Sequence, residues 1–86
     1  MSEARLTKQV FVDGMDKLRL GFMNWNFDVE NVKQVKVWYE MLQDILDWVF
    51  EGAITQYIKN NKNYPTIASI REECWNYYTE NRQNHE

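Results

Sequence analysis

Eighty-six residues support one domain, and 44% hydrophobic residues with 15% aromatics are enough to furnish its core. Ten basic against thirteen acidic residues give a net charge of −3, which lacks the cationic footprint that drives nonspecific binding to DNA or RNA. A single cysteine excludes an internal disulfide, no apolar run approaches the ~20 residues that span a bilayer, and residues 1–5 lead into no signal-peptide apolar core. The expectation is a cytoplasmic protein with neither nucleic acid nor membrane as a direct partner. Four Trp, five Tyr and four Phe are generous for so small an interior, so some aromatics are expected at a binding surface.

Residues 7–23 place Phe11, Met15, Leu18 and Phe22 on one helical stripe, which predicts the first helix. Val10, Val12, Leu20 and Met23 fall off that stripe, so the helix is either covered on a second side, as in helix bundles, or partly exposed for a partner, and the first is expected. Gly14 in the middle costs about 1 kcal/mol relative to alanine. The stretch Asn24-Trp25-Asn26-Phe27-Asp28 reads as a loop pinned to the core by its two aromatics, with Asp28 as the expected N-cap of the next helix. From Val29, the residues Val32, Val35, Trp38, Tyr39, Leu42, Ile45 and Leu46 keep helical spacing, while Glu30, Lys33, Lys36 and Glu40 turn outward. A second stripe of Leu46, Val49, Phe50, Ala53, Ile54, Tyr57 and Ile58 runs on to the polar residues 60–63.

No Gly or Pro divides these two stripes, yet a rod over residues 29–59 is out of proportion to an average helix of about 11–12 residues. Asp44 and Asp47 resemble helix-start acids, which predicts a turn at residues 43–47. Pro65 fixes its own φ and pushes Tyr64 out of helical space, so the third helix stops near Lys62 or Asn63. Thr66 then caps a fourth helix over residues 67–79, with Ile67, Ile70, Cys74 and Tyr77 or Tyr78 inward. The resulting expectation is an all-α fold, a single domain of four helices over residues 1–79. Trp38, Leu42, Phe50, Ile54, Ile67 and Ile70 share its core, and residues 80–86 form a disordered tail.

Catalysis needs convergent groups, and the chain offers few. His85, the one histidine, lies next to the C-terminus, Cys74 has no second thiol or histidine near it, and Gly14, Gly21 and Gly52 are isolated rather than gathered in a phosphate loop. No catalytic, cofactor or metal site is expected, and the chain does not read as an enzyme. Glu40, Asp44, Asp47 and Glu51 form a run of acids without an intervening base. They read either as a solvated face with helix-start acids or as a docking rim for a basic partner. Val37, Met41 and Trp48 lie off the core stripes and would add apolar anchors to such a rim, with Trp48 the strongest. A helix-turn-helix reading of the last two helices fails on the length of residues 60–65 and on Arg71 standing beside Glu72 and Glu73.

Four segments occur in a telling order: Trp25-Asn26-Phe27-Asp28, Trp38-Tyr39-Glu40-Met41-Leu42, Tyr57-Ile58-Lys59 with its Asn/Lys turn, and Tyr64-Pro65-Thr66-Ile67-Ala68-Ser69-Ile70. Across residues 18–70 this succession resembles the phage replicative-helicase loader and inhibitor family. The resemblance implies an all-helical adaptor domain that acts at initiation of phage DNA replication. Such adaptors bind a hexameric replicative helicase, hold it inactive, and release it when an origin-binding initiator is engaged. It implies no catalytic residues and no cofactors. The chain departs from the family in a loop at Trp25 without proline, and in Ser69 where an acid is frequent. The family also carries a flexible C-terminal extension that contacts the helicase, so with seven residues after Thr79 the contact is expected from the folded domain or the short tail. Two other readings stand beside it. One is a helical protein-interaction module of mobile DNA that inhibits a host factor. The other is a small DNA-binding regulator, which the acidic balance disfavours.

Overall fold

The Thr7 hydroxyl accepts the Val10 backbone N–H at 3.3 Å, and the chain turns from extended to helical at that point. The computed structural model describes residues 5–81. Among them it has four helices, α1 (Lys8–Gly21), α2 (Val32–Leu42), α3 (Asp47–Asn60) and α4 (Ile67–Asn81), in an all-α single domain.

The start of α2 differs from expectation. Asn31, not Asp28, is the cap, its side chain accepting the Gln34 amide at 3.1 Å. Asp28 lies three residues earlier and closes the preceding turn by accepting the Glu30 amide at 2.9 Å, so two residues with capping chemistry divide the work. The break between α2 and α3 falls at residues 43–46, where it was expected, but neither aspartate caps α3. Leu46 is the N-cap and offers no side-chain bond. Asp44 is drawn to Arg71, and Asp47 accepts the Thr7 amide at 2.8 Å.

Thr66 opens α4 as expected, its hydroxyl accepting the Ser69 amide at 3.1 Å. Ser69 reciprocates by accepting the Thr66 amide at 2.8 Å, a capping box in which serine does the work of the more usual acid. The helix continues two residues past Thr79, and residues 82–86 of the expected tail lie outside the described residues.

Helix α1 packs on α3, α3 on α4, and α2 against α4. The seam is filled by Phe11, Met15, Leu18, Leu42, Phe50, Ile54 and Ile70, all fully buried, each worth about 1.5–3 kcal/mol relative to exposure. Gly14 faces the edge of the Phe50 ring, and its missing side chain is what lets α1 come that close to α3. Trp38 and Ile67 sit half-buried at the margin of this core. Trp38 meets the rings of Trp25 and Phe27 at centroid distances of 5.6 and 5.4 Å, which fastens the loop before α2. The second side of α1 is not covered: Val12 and Leu20, with Met23 just beyond the helix, are exposed, and of these four only Val10 packs against the core.

One short extended segment completes the fold. Arg5 pairs antiparallel with Leu46, and the Leu6 N–H donates to the Ile45 carbonyl at 2.8 Å. The Tyr39 hydroxyl donates to the Leu6 carbonyl at 2.9 Å, so residues 5–7 form a strap across the turn between α2 and α3.

Candidate functional site

The seven residues expected at a partner surface take up different surroundings. On α2, Val37 and Met41 are one turn apart and exposed, with Glu40 exposed beside them. Asp44 meets both terminal nitrogens of Arg71, at 2.9 and 3.2 Å, and the same guanidinium donates to the Met41 carbonyl at 2.6 Å. That fork holds the Asp44 carboxyl below the ordinary carboxylate range, the hydrogen bond to Arg71 being the chief cause. Asp47 is engaged by the strap. Trp48 is half-buried with its ring 6.0 Å from those of Tyr77 and Tyr78, and Gly52 makes room on α3 for the Tyr77 ring beside it.

These residues are not gathered around one depression. Trp48 and exposed Glu51 line a furrow with Lys17, Lys59 and Tyr77. Asp44 borders a second furrow, between the α2–α3 turn and α4, with Cys74 and Trp75. Glu40 lies in a third, between α1 and α2.

This third groove is more apolar than the other two furrows, and the periodicity did not point to it. Lys8, Phe11 and Val12 of α1 form one wall, and Val32, Val35, Lys36, Tyr39 and Glu40 of α2, with Gln43 at its C-cap, form the other. Phe11 and Tyr39 meet edge to face at 5.2 Å along its floor, and the groove encloses about 560 Å³. Val12, Val29 and Val32 stand exposed around it, Val32 at 77%. The signal was present in the sequence as apolar residues too numerous for one stripe: Val12 lies off the α1 stripe, and valines 29, 32 and 35 make that of α2 wider than its contact with the core. Trp75, 67% exposed on α4, was likewise off the stripe of Ile70 and Cys74.

Among the described residues the surface offers apolar area and charge. Burial pushes the Cys74 thiol up to about 12, far from a thiolate at neutral pH. Among the described residues no group of three His, Cys, Asp or Glu is placed to hold a metal ion, and no helix is long and apolar enough to cross a membrane.

No curated protein and no solved structure matches this chain significantly. A family model does: G39P_N, the N-terminal domain of the phage gp39 helicase loader/inhibitor, matches residues 8–71. The match begins at the first residue of α1 and ends at Arg71, so it takes in all of α1, α2 and α3, the opening turn of α4, and every one of the fully buried side chains named above. With more than half of the chain inside the match, this chain belongs to the phage helicase loader and inhibitor family, whose members are non-catalytic adaptors.

Proposed function

We propose that this chain is a phage DNA-replication adaptor of the cytoplasm that binds a hexameric replicative helicase and inhibits it, loads it, or does both, performing no catalytic step itself. The observation that carries this reading is the family match across residues 8–71. The surface supports it, because exposed apolar side chains set among charges are what a protein partner recognises. Among the seven residues expected at the contact, Val37, Met41 and Glu51 face solvent and supply contacts, Glu40 borders the groove between α1 and α2, and Asp44, Asp47 and Trp48 hold the turn and furrow beside them. Engagement of an origin-binding initiator belongs to the same reading.

The test is a titration of the purified chain against the cognate hexameric helicase, with and without ATP, following complex formation by analytical ultracentrifugation and helicase ATPase rate in parallel. A defined complex with altered ATPase or unwinding is expected. Absence of any complex in both nucleotide states would refute the adaptor function for this chain.

A further inference from the structure

The groove between α1 and α2 has walls made of two helices and a floor of aromatic rings, and none of the described residues fills it. Its α2 wall runs from Val32 to the C-cap Gln43, eleven residue steps, or roughly 17 Å at 1.5 Å per residue, the length of three helical turns. An extended peptide laid there would turn its backbone N–H and C=O groups toward side chains that offer them few partners. A helix satisfies those groups internally and presents only side chains. The charge of the lining runs against that of the chain: Lys8 and Lys36 face the groove against Glu40 alone, in a protein of net charge −3. Neither lysine makes an ion pair with a described residue. An occupant with acidic flanks meets two available ammonium groups, whereas one with basic flanks meets a single carboxylate and two like charges.

We infer that the α1–α2 groove is the docking site for a three-turn amphipathic helix with acidic flanks, whose apolar face covers Val12, Val29, Val32, Val35 and the floor rings. That this helix is presented by the replicative helicase rests on the proposed adaptor function; the groove and its preference for acid do not. Val32 and Val12 supply the exposed apolar rim, and Lys36, one turn from both Val32 and Glu40 on α2, supplies the central charge.

Two probes are titrated against the full chain: the cognate hexameric helicase, and a side-chain-stapled three-turn peptide with leucine on one face and glutamate on its flanks, beside a lysine-flanked control. Variants are Val12→Arg, Val32→Arg, Lys36→Glu and Glu40→Lys, all at exposed positions, with circular dichroism verifying the fold. For each probe that binds, the inference expects at least tenfold weakening by Val32→Arg and by Lys36→Glu, tightening by Glu40→Lys, and a wild-type affinity that falls with salt. The glutamate-flanked peptide is expected to outbind the lysine-flanked one at least tenfold. Helicase binding untouched by the groove variants would overturn the inference and leave the adaptor function standing. Binding of the acidic peptide in the groove without any helicase complex would sustain the groove and refute the adaptor function. Binding of neither probe, or equal binding of the two peptides, would overturn the inference.

Discussion

Arg71 of α4 grips Asp44 of the α2–α3 turn with both ends of its guanidinium, at 2.9 and 3.2 Å, while one of those nitrogens also holds the Met41 carbonyl. One side chain thereby fastens the end of α2, the turn and α4 together. Both partners remain about half exposed, so the pair is expected to contribute less than about 1 kcal/mol. Because the fork lowers the Asp44 carboxyl in the folded state, its stabilisation is present above the ordinary carboxylate range and is lost as pH falls through the lowered value. Asp44→Asn should therefore lower the urea midpoint slightly at pH 7 and flatten the loss of stability below about pH 4. Arg71→Lys should resemble it, since an ammonium cannot make the two-point contact. An unchanged acid profile in Asp44→Asn would count against this assignment.

Gly14→Ala tests the close approach of α1 and α3. Helix propensity alone gains about 1 kcal/mol from this change. The added methyl, however, falls on the edge of the fully buried Phe50 ring, and overpacking costs about 1–3 kcal/mol. A net loss of stability is expected in chemical denaturation, recovered in part when Phe50→Leu is combined with it. A more stable single variant would show that the seam yields easily.

Cys74 should be inert in the folded protein. Its thiol is buried and held near 12, so alkylation at pH 8 should proceed only through unfolding, at a rate that follows denaturant concentration. The sign of the pH effect is also set: between about pH 9 and 12 the thiol ionises in the unfolded chain before it does in the folded one. Stability contributed by the neutral thiol is lost over that interval, and Cys74→Ala should lessen the alkaline slope. Rapid labelling of the native protein at pH 8 would contradict this.

The Thr66 and Ser69 box sets the start of α4. Thr66→Ala and Ser69→Ala should each cost about 1 kcal/mol, and the double variant less than the sum, because the two bonds are reciprocal. Ser69→Glu should retain stability, as glutamate can reach the same backbone amide. A thermal or urea double-mutant cycle reads both effects.

Trp38 holds the loop before α2 through Trp25 and Phe27 rather than through the centre of the core. Trp38→Ala should cost about 2–4 kcal/mol and disorder the loop, which loss of the upfield-shifted Trp25 and Phe27 proton signals would report. Phe50→Ala, at a fully buried position, should cost at least as much.

The fold was legible where periodicity and punctuation agreed. Phe11, Met15 and Leu18 mark the buried side of α1, and Pro65 with Thr66 marks the start of α4. The break before α3 was found from Asp44 and Asp47, although both are used in long-range contacts that local sequence cannot reveal, 27 residues to Arg71 and 40 to Thr7. Asp28 and Asn31 have the same capping chemistry, so sequence offered no basis for choosing between them. The groove escaped notice for a further reason. Its valines fit the helical pattern as well as core residues do, and only the relative placement of α1 and α2 decides that Val12 and Val32 stay uncovered.

The strap of residues 5–7 joins parts of the chain about 40 residues apart, whereas most helical bonds span four. Closing so long a loop comes late in folding, and bonds of this kind at a domain edge are the first to open. The Leu6 and Thr7 amides should therefore exchange with solvent through a local opening, faster than the amides of Leu18 or Ile54 in the buried helices. Each such opening also frees the Tyr39 hydroxyl from the Leu6 carbonyl, so the rate at which the N-terminal edge breathes sets how often the floor of the α1–α2 groove is loosened.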